Sequence, residues 1–374
     1  MNLKKKSTMN ILQSCLLAGL LVFSSCKPEG NNNVDFDRAA MLENIGINII
    51  LPNYVSLSEK MNLLQQSATD FTAAPDNAKL IALQTAFKNA YLSWQKCSAF
   101  EFGPAMQVSL RMSVNIFPTD SVQIQSNITT GSYDLETAAN SDARGFPAMD
   151  FLLHKRNGNN AEVLERFTTN SNAQAWKDYV IALVNDTKSL VDAVKNNWEP
   201  TSGNYLATFI SNDGTDVGSS LGELVNQLNY DYEQLKNARI GIPAGKQTLG
   251  VALPEKCEAY YAGYSVDLAL EQINAIKNLY LGAGNVDGVG LDEYLIALDA
   301  KHGSGQLSDA IKTQLDLAIA ALQNVPDPLS ETVVSNPTIV NTAYTEIQKQ
   351  VVLFKTDMPS ALSVLITYQD GDGD

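Results

Sequence analysis

The sequence predicts a mostly α-helical chain folded as two packed helical bundles. Apolar residues recur three and four apart over long stretches, which is the spacing of one face of an amphipathic helix. Strand-type alternation is sparse, and residues 364–368 are the only fair candidate. With 374 residues and 45% hydrophobic content, the chain can build one large or two medium cores. The expected organisation is a signal over residues 1–25, a tether over 26–34, a first bundle over 35–203 and a second over 204–374.

Each element follows from local chemistry. Residues 36–71 place Met41, Ile45, Ile49, Tyr54, Leu57, Met61, Leu64 and Phe71 on one face, and Pro52 is expected to kink or break that helix. Asp76 or Asn77 can cap the next helix, whose face is Leu80, Leu83, Phe87, Tyr91 and Trp94. Phe102-Gly103-Pro104 reads as its stop. Residues 108–145, rich in Ser, Thr and Asn and broken by Pro118 and Gly131, read as short helices and loops. An apolar helix opens at 151–153, and 161–198 reads as one or two helices around Phe167, Trp176, Tyr179, Leu183 and Val194. After the Pro200-Thr201-Ser202-Gly203 loop, the pattern resumes at Leu206, Phe209 and Ile210, breaks over 213–220, and returns at Leu221, Leu224, Val225 and Leu228. Residues 240–250 read as a long loop, and 257–281 as a strong helix through Tyr261, Tyr264, Leu268, Ile273, Ile276 and Leu279. A turn over 282–290, Asp292 as the cap of a helix to Leu298, and helices over 307–322 and 341–358 complete the chain, with Pro359 as the final stop.

The formal charge is −15, from 26 basic and 41 acidic residues. That balance argues against a whole-surface nucleic-acid binder, because phosphate neutralisation needs a basic face. It leaves room for a local basic pocket. The basic cluster Lys4-Lys5-Lys6 followed by an apolar stretch from Ile11 to Phe23 has the form of a removable secretory signal, too short and interrupted to span a membrane. The break Phe23-Ser24-Ser25-Cys26 resembles the lipobox of bacterial lipoproteins, which implies that Cys26 is lipidated and becomes the mature N-terminus. Residues 27–34 then form a polar tether. Cys97 and Cys257 remain; both lie on helix-like stretches and read as two isolated buried thiols, although a pairing cannot be decided from spacing.

Chemistry-bearing motifs are few. The chain has two histidines, His154 and His302, and no HExxH, GxSxG or Walker loop. The stretch 282–288 (GAGNVDG) lacks the glycine spacing and preceding strand of a dinucleotide site, and reads as a helix–helix turn. Asp370, Asp372 and Asp374 have the spacing of the first half of a calcium loop, but the chain stops before the distal Glu such a loop needs, so they read as a solvated tail. Trp94, Trp176, Tyr260, Tyr261 and Tyr264 read as core. The better candidate is 144–156 (RGFPAMDFLLHKR). Asp150 and His154 are four apart and share a helical face, so they could hydrogen-bond or share a cation; the other reading is an exposed pair beside Lys155 and Arg156. Glu101 and Asp142 could add carboxylate oxygens if the fold brings them there. Arg144 and Arg239 could contact an anionic ligand, or each could pair with a neighbouring carboxylate.

Several stretches together resemble the imelysin and imelysin-like proteins of bacterial envelopes. They are the helices ending in LQTAFKNAYLSWQKCSAFEFGP, SVNIFPTD followed by RGFPAMDFLL, the second-half helix PEKCEAYYAGYSVDLALEQINAIKNLYLG, and the close LSVLITYQDGDGD. The resemblance implies the family's helical fold and directs attention to its GxHxxE motif. Gly145 matches the motif's glycine, Pro147 stands at the His position and Asp150 at the Glu position. Proline can neither ligate a metal nor take a proton, and Asp150 is one methylene shorter than Glu.

The resemblance therefore implies an envelope-anchored lipoprotein, on the outer membrane, that binds a ligand or partner connected with iron uptake and does not catalyse. A metallopeptidase of the imelysin type and a structural scaffold of an envelope complex are the alternatives. Iron or another divalent metal is the cofactor to test, with Asp150 and His154 as candidate ligands. The expected partners are the lipid membrane through Cys26 and an iron-related ligand or envelope protein, with no nucleic acid.

Overall fold

The computed structural model describes residues 35–368. The signal, Cys26, the tether and the Asp370–Asp374 tail lie outside the described residues. The first half is built on Leu51–Ala73, which packs against Asn77–Gln95 on one side and Ala173–Trp198 on the other. Their apolar faces meet as the three-and-four spacing requires: Tyr54, Leu57, Met61, Leu64 and Phe71 are all fully buried. Each large side chain withdrawn from water contributes about 1.5–3 kcal/mol before entropy is set against it. Asp76 caps its helix, accepting the Lys79 N–H at 2.8 Å.

In the second half, Ser265–Tyr280 packs on Leu307–Gln323, which packs in turn on Pro337–Val352. The two bundles meet where Asn77–Gln95 lies against Ser265–Tyr280, and their buried residues form one continuous core. The described residues form one compact unit. The exposed 203/204 position thus joins two stretches that share one core, and the helix just beyond it, Tyr205–Ser211, packs back on Arg38–Ile45 of the first bundle.

Proline breaks fewer helices than its chemistry suggests. Pro52 does not end its helix; a π turn at Gly46–Ile50 runs directly into Leu51–Ala73. The same device recurs twice, at Leu235–Gly241 before Pro243 and at Leu353–Asp357 before Pro359. A proline cannot donate to the carbonyl four residues back, and its ring crowds that oxygen. Widening the preceding turn moves the oxygen aside. For Pro52 that oxygen belongs to Asn48, and it accepts the Asn285 N–H at 3.2 Å from the 282–290 turn. A Cβ on Gly284 would lie 2.0 Å from this same oxygen, so only glycine lets the turn approach.

Three expectations are corrected. The helix ending in Gln95 stops well before Phe102-Gly103-Pro104, and Pro104 opens the next short helix, Pro104–Gln107. Residues 257–264 are a turn, and the helix begins only at Ser265. Residues 364–368 form no strand and pair in no sheet. They are held by one side chain, since Asn226 donates to the Leu365 carbonyl at 2.9 Å and accepts the Thr367 N–H at 2.7 Å. Among the described residues the strands are the two-residue pair Lys301–His302 and Gly305–Gln306.

Candidate functional site

Apart from Asp150 the motif helix Gly145–Leu153 is apolar all round, and all nine of its residues are buried. Gly145 has φ +72°, and a Cβ there would lie 2.3 Å from the Val114 carbonyl oxygen. Its place in the motif is thus a matter of backbone conformation and close contact. Pro147 sits in the first turn, where a missing N–H costs nothing, and its ring faces a cleft.

Asp150 is 1% exposed, and both its oxygens are engaged. Oδ2 accepts the Tyr261 N–H at 2.9 Å, and Oδ1 accepts the Ala262 N–H at 3.0 Å. The carboxylate therefore holds the 257–264 turn against the motif helix. Two backbone donors can satisfy a buried carboxylate in this way. His154 lies just past the helix, in extended conformation. Its Nδ1 is 3.2 Å from Asp150 Oδ1, but the angles are not those of a hydrogen bond and the nitrogen is otherwise unpartnered. The ring packs 5.7 Å from Phe87 and 6.3 Å from Tyr264. The exposed-pair reading is thereby corrected. Lys155 and Arg156 turn outward instead, to Glu162 and Glu331.

The remaining candidates disperse. Arg144 forks onto Asp186, with three contacts of 2.7–3.0 Å. Glu101 accepts the Arg111 backbone N–H at 3.0 Å, and burial raises its pKa. Asp142 supplies its carbonyl oxygen to Thr119 and Asp120. Arg239, buried on its π turn, pairs with Glu258, which also accepts from Gln95 at 3.0 Å and Asn115 at 2.8 Å. Cys97 and Cys257 are unpaired and buried. Burial pushes the Cys257 thiol up to about 12 and the Cys97 thiol higher still, so neither is a nucleophile at neutral pH.

The structure therefore assembles a cleft rather than a metal centre. Among the described residues no group of three or more His, Cys, Asp or Glu could hold a metal ion. With both Asp150 oxygens spent on backbone N–H groups and His154 turned into an aromatic pocket, this donor set does not fit a resident iron or zinc. The cleft has a volume of about 180 Å³ and is walled by Phe117, Pro118, Pro147, Tyr260 and Tyr261, with Asp150 beneath. Sequence reasoning missed Phe117, Arg111, Asp231 and Glu258. Each has at least one partner more than a hundred residues away, as with Asn115 to Glu258, Ser98 to Asp231, Gln227 to Arg111 and Arg239 to Phe117, and no local spacing marks those pairs.

The family model described as imelysin matches residues 50–353. An iron-regulated protein A from Synechococcus elongatus is 22% identical over 302 residues, which cover 77% of this chain and 76% of that protein. A solved structure of a candidate iron-regulated protein A precursor from Parabacteroides distasonis superposes with a TM-score of 0.73 at 18% identity, covering 90% of this chain and 97% of the other. An imelysin-like protein from Psychrobacter arcticum gives 0.68 at 18% identity, over 90% and 99% of the two chains. At these identities the structural likeness establishes the fold.

Proposed function

The chain belongs to the imelysin family, and from that premise we propose that it is a lipid-anchored envelope protein that binds a ligand or partner in iron acquisition without catalysing a reaction. Asp150 carries this reading. The one carboxylate the motif retains is engaged by the Tyr261 and Ala262 N–H groups, and Pro147 stands where an imidazole would be needed. A proton-transfer or metal-hydrolysis role has no group left to perform it at the motif. The iron connection is supported by the name of the Synechococcus elongatus relative, iron-regulated protein A. The donor set speaks against the bare ion, which leaves iron carried in a chelate as the form to test. The lipobox-like Cys26 supports the anchor, and no described helix is long and apolar enough to cross a membrane.

The test is calorimetric titration of the full chain, held in detergent, with ferrous ion, ferric citrate, zinc, calcium and haem. Saturable binding of ferric citrate or haem, weakened about tenfold by Tyr260→Ala in the cleft wall, is the expected result. No binding of any iron species up to about millimolar, a weak limit on the affinity scale, overturns the iron reading. Proteolysis abolished by a chelator restores the metallopeptidase alternative. A partner that co-purifies from native membranes with no small ligand favours the scaffold. Cys26→Ala should move the chain from the membrane to the soluble fraction.

A further inference from the structure

A second pocket, of about 210 Å³, lies where the 282–290 turn meets the first helices, and it shares no lining residue with the motif cleft. Asparagine dominates its wall. Asn48 comes from the π turn Gly46–Ile50, Asn53 from Leu51–Ala73, Asn274 and Asn278 from Ser265–Tyr280, and Asn285 from the 282–290 turn. The apolar part of the wall is Ile49, Pro52, Ala275 and Ala283, and no aromatic side chain lines it. Its two charged residues neutralise each other, since Lys96 meets Glu271 at 3.0 Å.

These carboxamides are not spent on one another. Among the described residues, the side chains of Asn53, Asn278 and Asn285 make no hydrogen bond. Asn274 gives only Nδ2, to the Leu270 carbonyl of its own helix at 2.7 Å, and Asn48 gives only Nδ2, to Asn44 Oδ1 at 2.9 Å. Both Oδ1 atoms stay available. Asparagine is a poor helix former, because its side chain competes for backbone groups. Asn274 and Asn278 stand four apart on one helical face, and Asn48 and Asn53 stand on helical turns across the pocket, so the chain accepts that cost on both sides of one space. The turn beside them is fixed in place. Asn44 Nδ2 donates to the Gly282 and Val289 carbonyls at 2.9 and 3.0 Å, and the Asn285 N–H donates to the Asn48 carbonyl. The pocket is therefore preorganised.

We propose that this pocket binds a neutral sugar ring, a pyranose. A sugar hydroxyl both donates and accepts, and a carboxamide does the same through Nδ2 and Oδ1, so neighbouring hydroxyls can meet it in both roles. A carboxylate or phosphate would use only the donor halves of these side chains, and an ammonium only the acceptor halves. An aromatic ligand would find no ring to stack on. The Lys96–Glu271 pair adds one charged donor and one charged acceptor without selecting a charged ligand. Ile49, Pro52, Ala275 and Ala283 offer apolar surface to the C–H face of the ring. The volume is below the roughly 300–1,000 Å³ of a drug-sized site, so it suits one ring. A free sugar and the end of a glycan present the same chemistry here. The site is separate from the motif cleft and does not depend on the iron reading.

The experiment titrates the full chain, held in a detergent without sugar head groups, with D-glucose, D-galactose, D-mannose and N-acetyl-D-glucosamine. Saturation-transfer nuclear magnetic resonance and calorimetry read the binding. At least one sugar should bind saturably at about millimolar concentration. Cyclohexanol, a ring with a single hydroxyl, and benzoate, an anion, should bind about tenfold or more weakly. Asn53→Ala and Asn278→Ala should each weaken the sugar severalfold. Neither should lower the melting temperature, because neither side chain bonds within the described chain. Methyl glycosides of the same sugars, run in parallel, bind equally well if the natural ligand is a glycan end and fail if it is a free reducing sugar. The proposal is overturned if none of the four sugars saturates by about 50 mM, a weak limit on the affinity scale. It is overturned equally if cyclohexanol or benzoate binds as well as the sugar, or if both variants bind the sugar like the parent.

Discussion

Asp150 shows how a single side chain can look catalytic and act as a clamp. A carboxylate four residues before a histidine invites a metal, yet its oxygens are taken by two N–H groups from a turn more than a hundred residues away. Removing it leaves both donors buried without an acceptor. Asp150→Ala should therefore cost about 2–4 kcal/mol in denaturant unfolding, and Asp150→Glu, which restores the length of the family's acid, should cost less. Asp292 carries a different burden. One of its oxygens is buried and unpartnered, and desolvation, with the neighbouring Glu293 adding to it, raises its pKa to about 7. An unfolded aspartate titrates near 4. Between about pH 4 and 7 the folded chain therefore holds a proton that the unfolded chain has lost, and this group's contribution to stability falls as pH rises through that window, levelling above it. Asp292→Asn should remove that slope. Melting temperatures of parent and variant, measured from pH 4 to 8, should diverge over that range with the variant gaining, and parallel curves would contradict it.

At the scale of elements, the faces of the helices were legible and their ends less so. Met41 to Phe71 and Leu80 to Trp94 fall on single buried faces as spaced. Residues 257–264 were misread because Tyr261, Tyr264 and Leu268 keep the helical interval. Periodicity reports which side is buried, whereas helix formation needs the backbone N–H groups, and those of Tyr261 and Ala262 are given to Asp150. The prolines misled for a related reason: a proline inside a periodic stretch signals a broken bond but not how it is repaired. Here π turns and an outside donor repair it. The Gly282–Gly290 turn is one such donor, and Gly284→Ala tests the arrangement. The new Cβ would meet the Asn48 oxygen at 2.0 Å, so the turn must withdraw and the Asn285 bond must lengthen. A loss of about 2 kcal/mol or more is expected, together with faster hydrogen exchange at Asn285. Unchanged exchange there would mean the turn does not serve the helix.

For the whole molecule, the question is whether two bundles make two cooperative units. The sequence pattern suggests a division near residue 203, but the polar centre crosses it. Gln95, Ser98, Arg111 and Asn115 come from the first half, while Asp231, Arg239 and Glu258 come from the second. The hydrogen bonds of Gln95 and Asn115 to Glu258 and of Ser98 to Asp231 cross the division, and separating the halves would break all of them. That cost adds to exposing the apolar contact between Asn77–Gln95 and Ser265–Tyr280. Neither half should therefore be stable alone, and the candidate site, made by both, should disappear whenever either unfolds. Chemical denaturation followed by far-ultraviolet circular dichroism and by tryptophan fluorescence distinguishes the cases. All three tryptophans, Trp94, Trp176 and Trp198, lie in the first half, whereas helices fill both. Coincident transitions are expected if the shared core binds the bundles into one unit. A circular dichroism change that precedes or trails the fluorescence change would show the second bundle melting by itself, and the buried charges would then have to find water at the junction without unfolding the first.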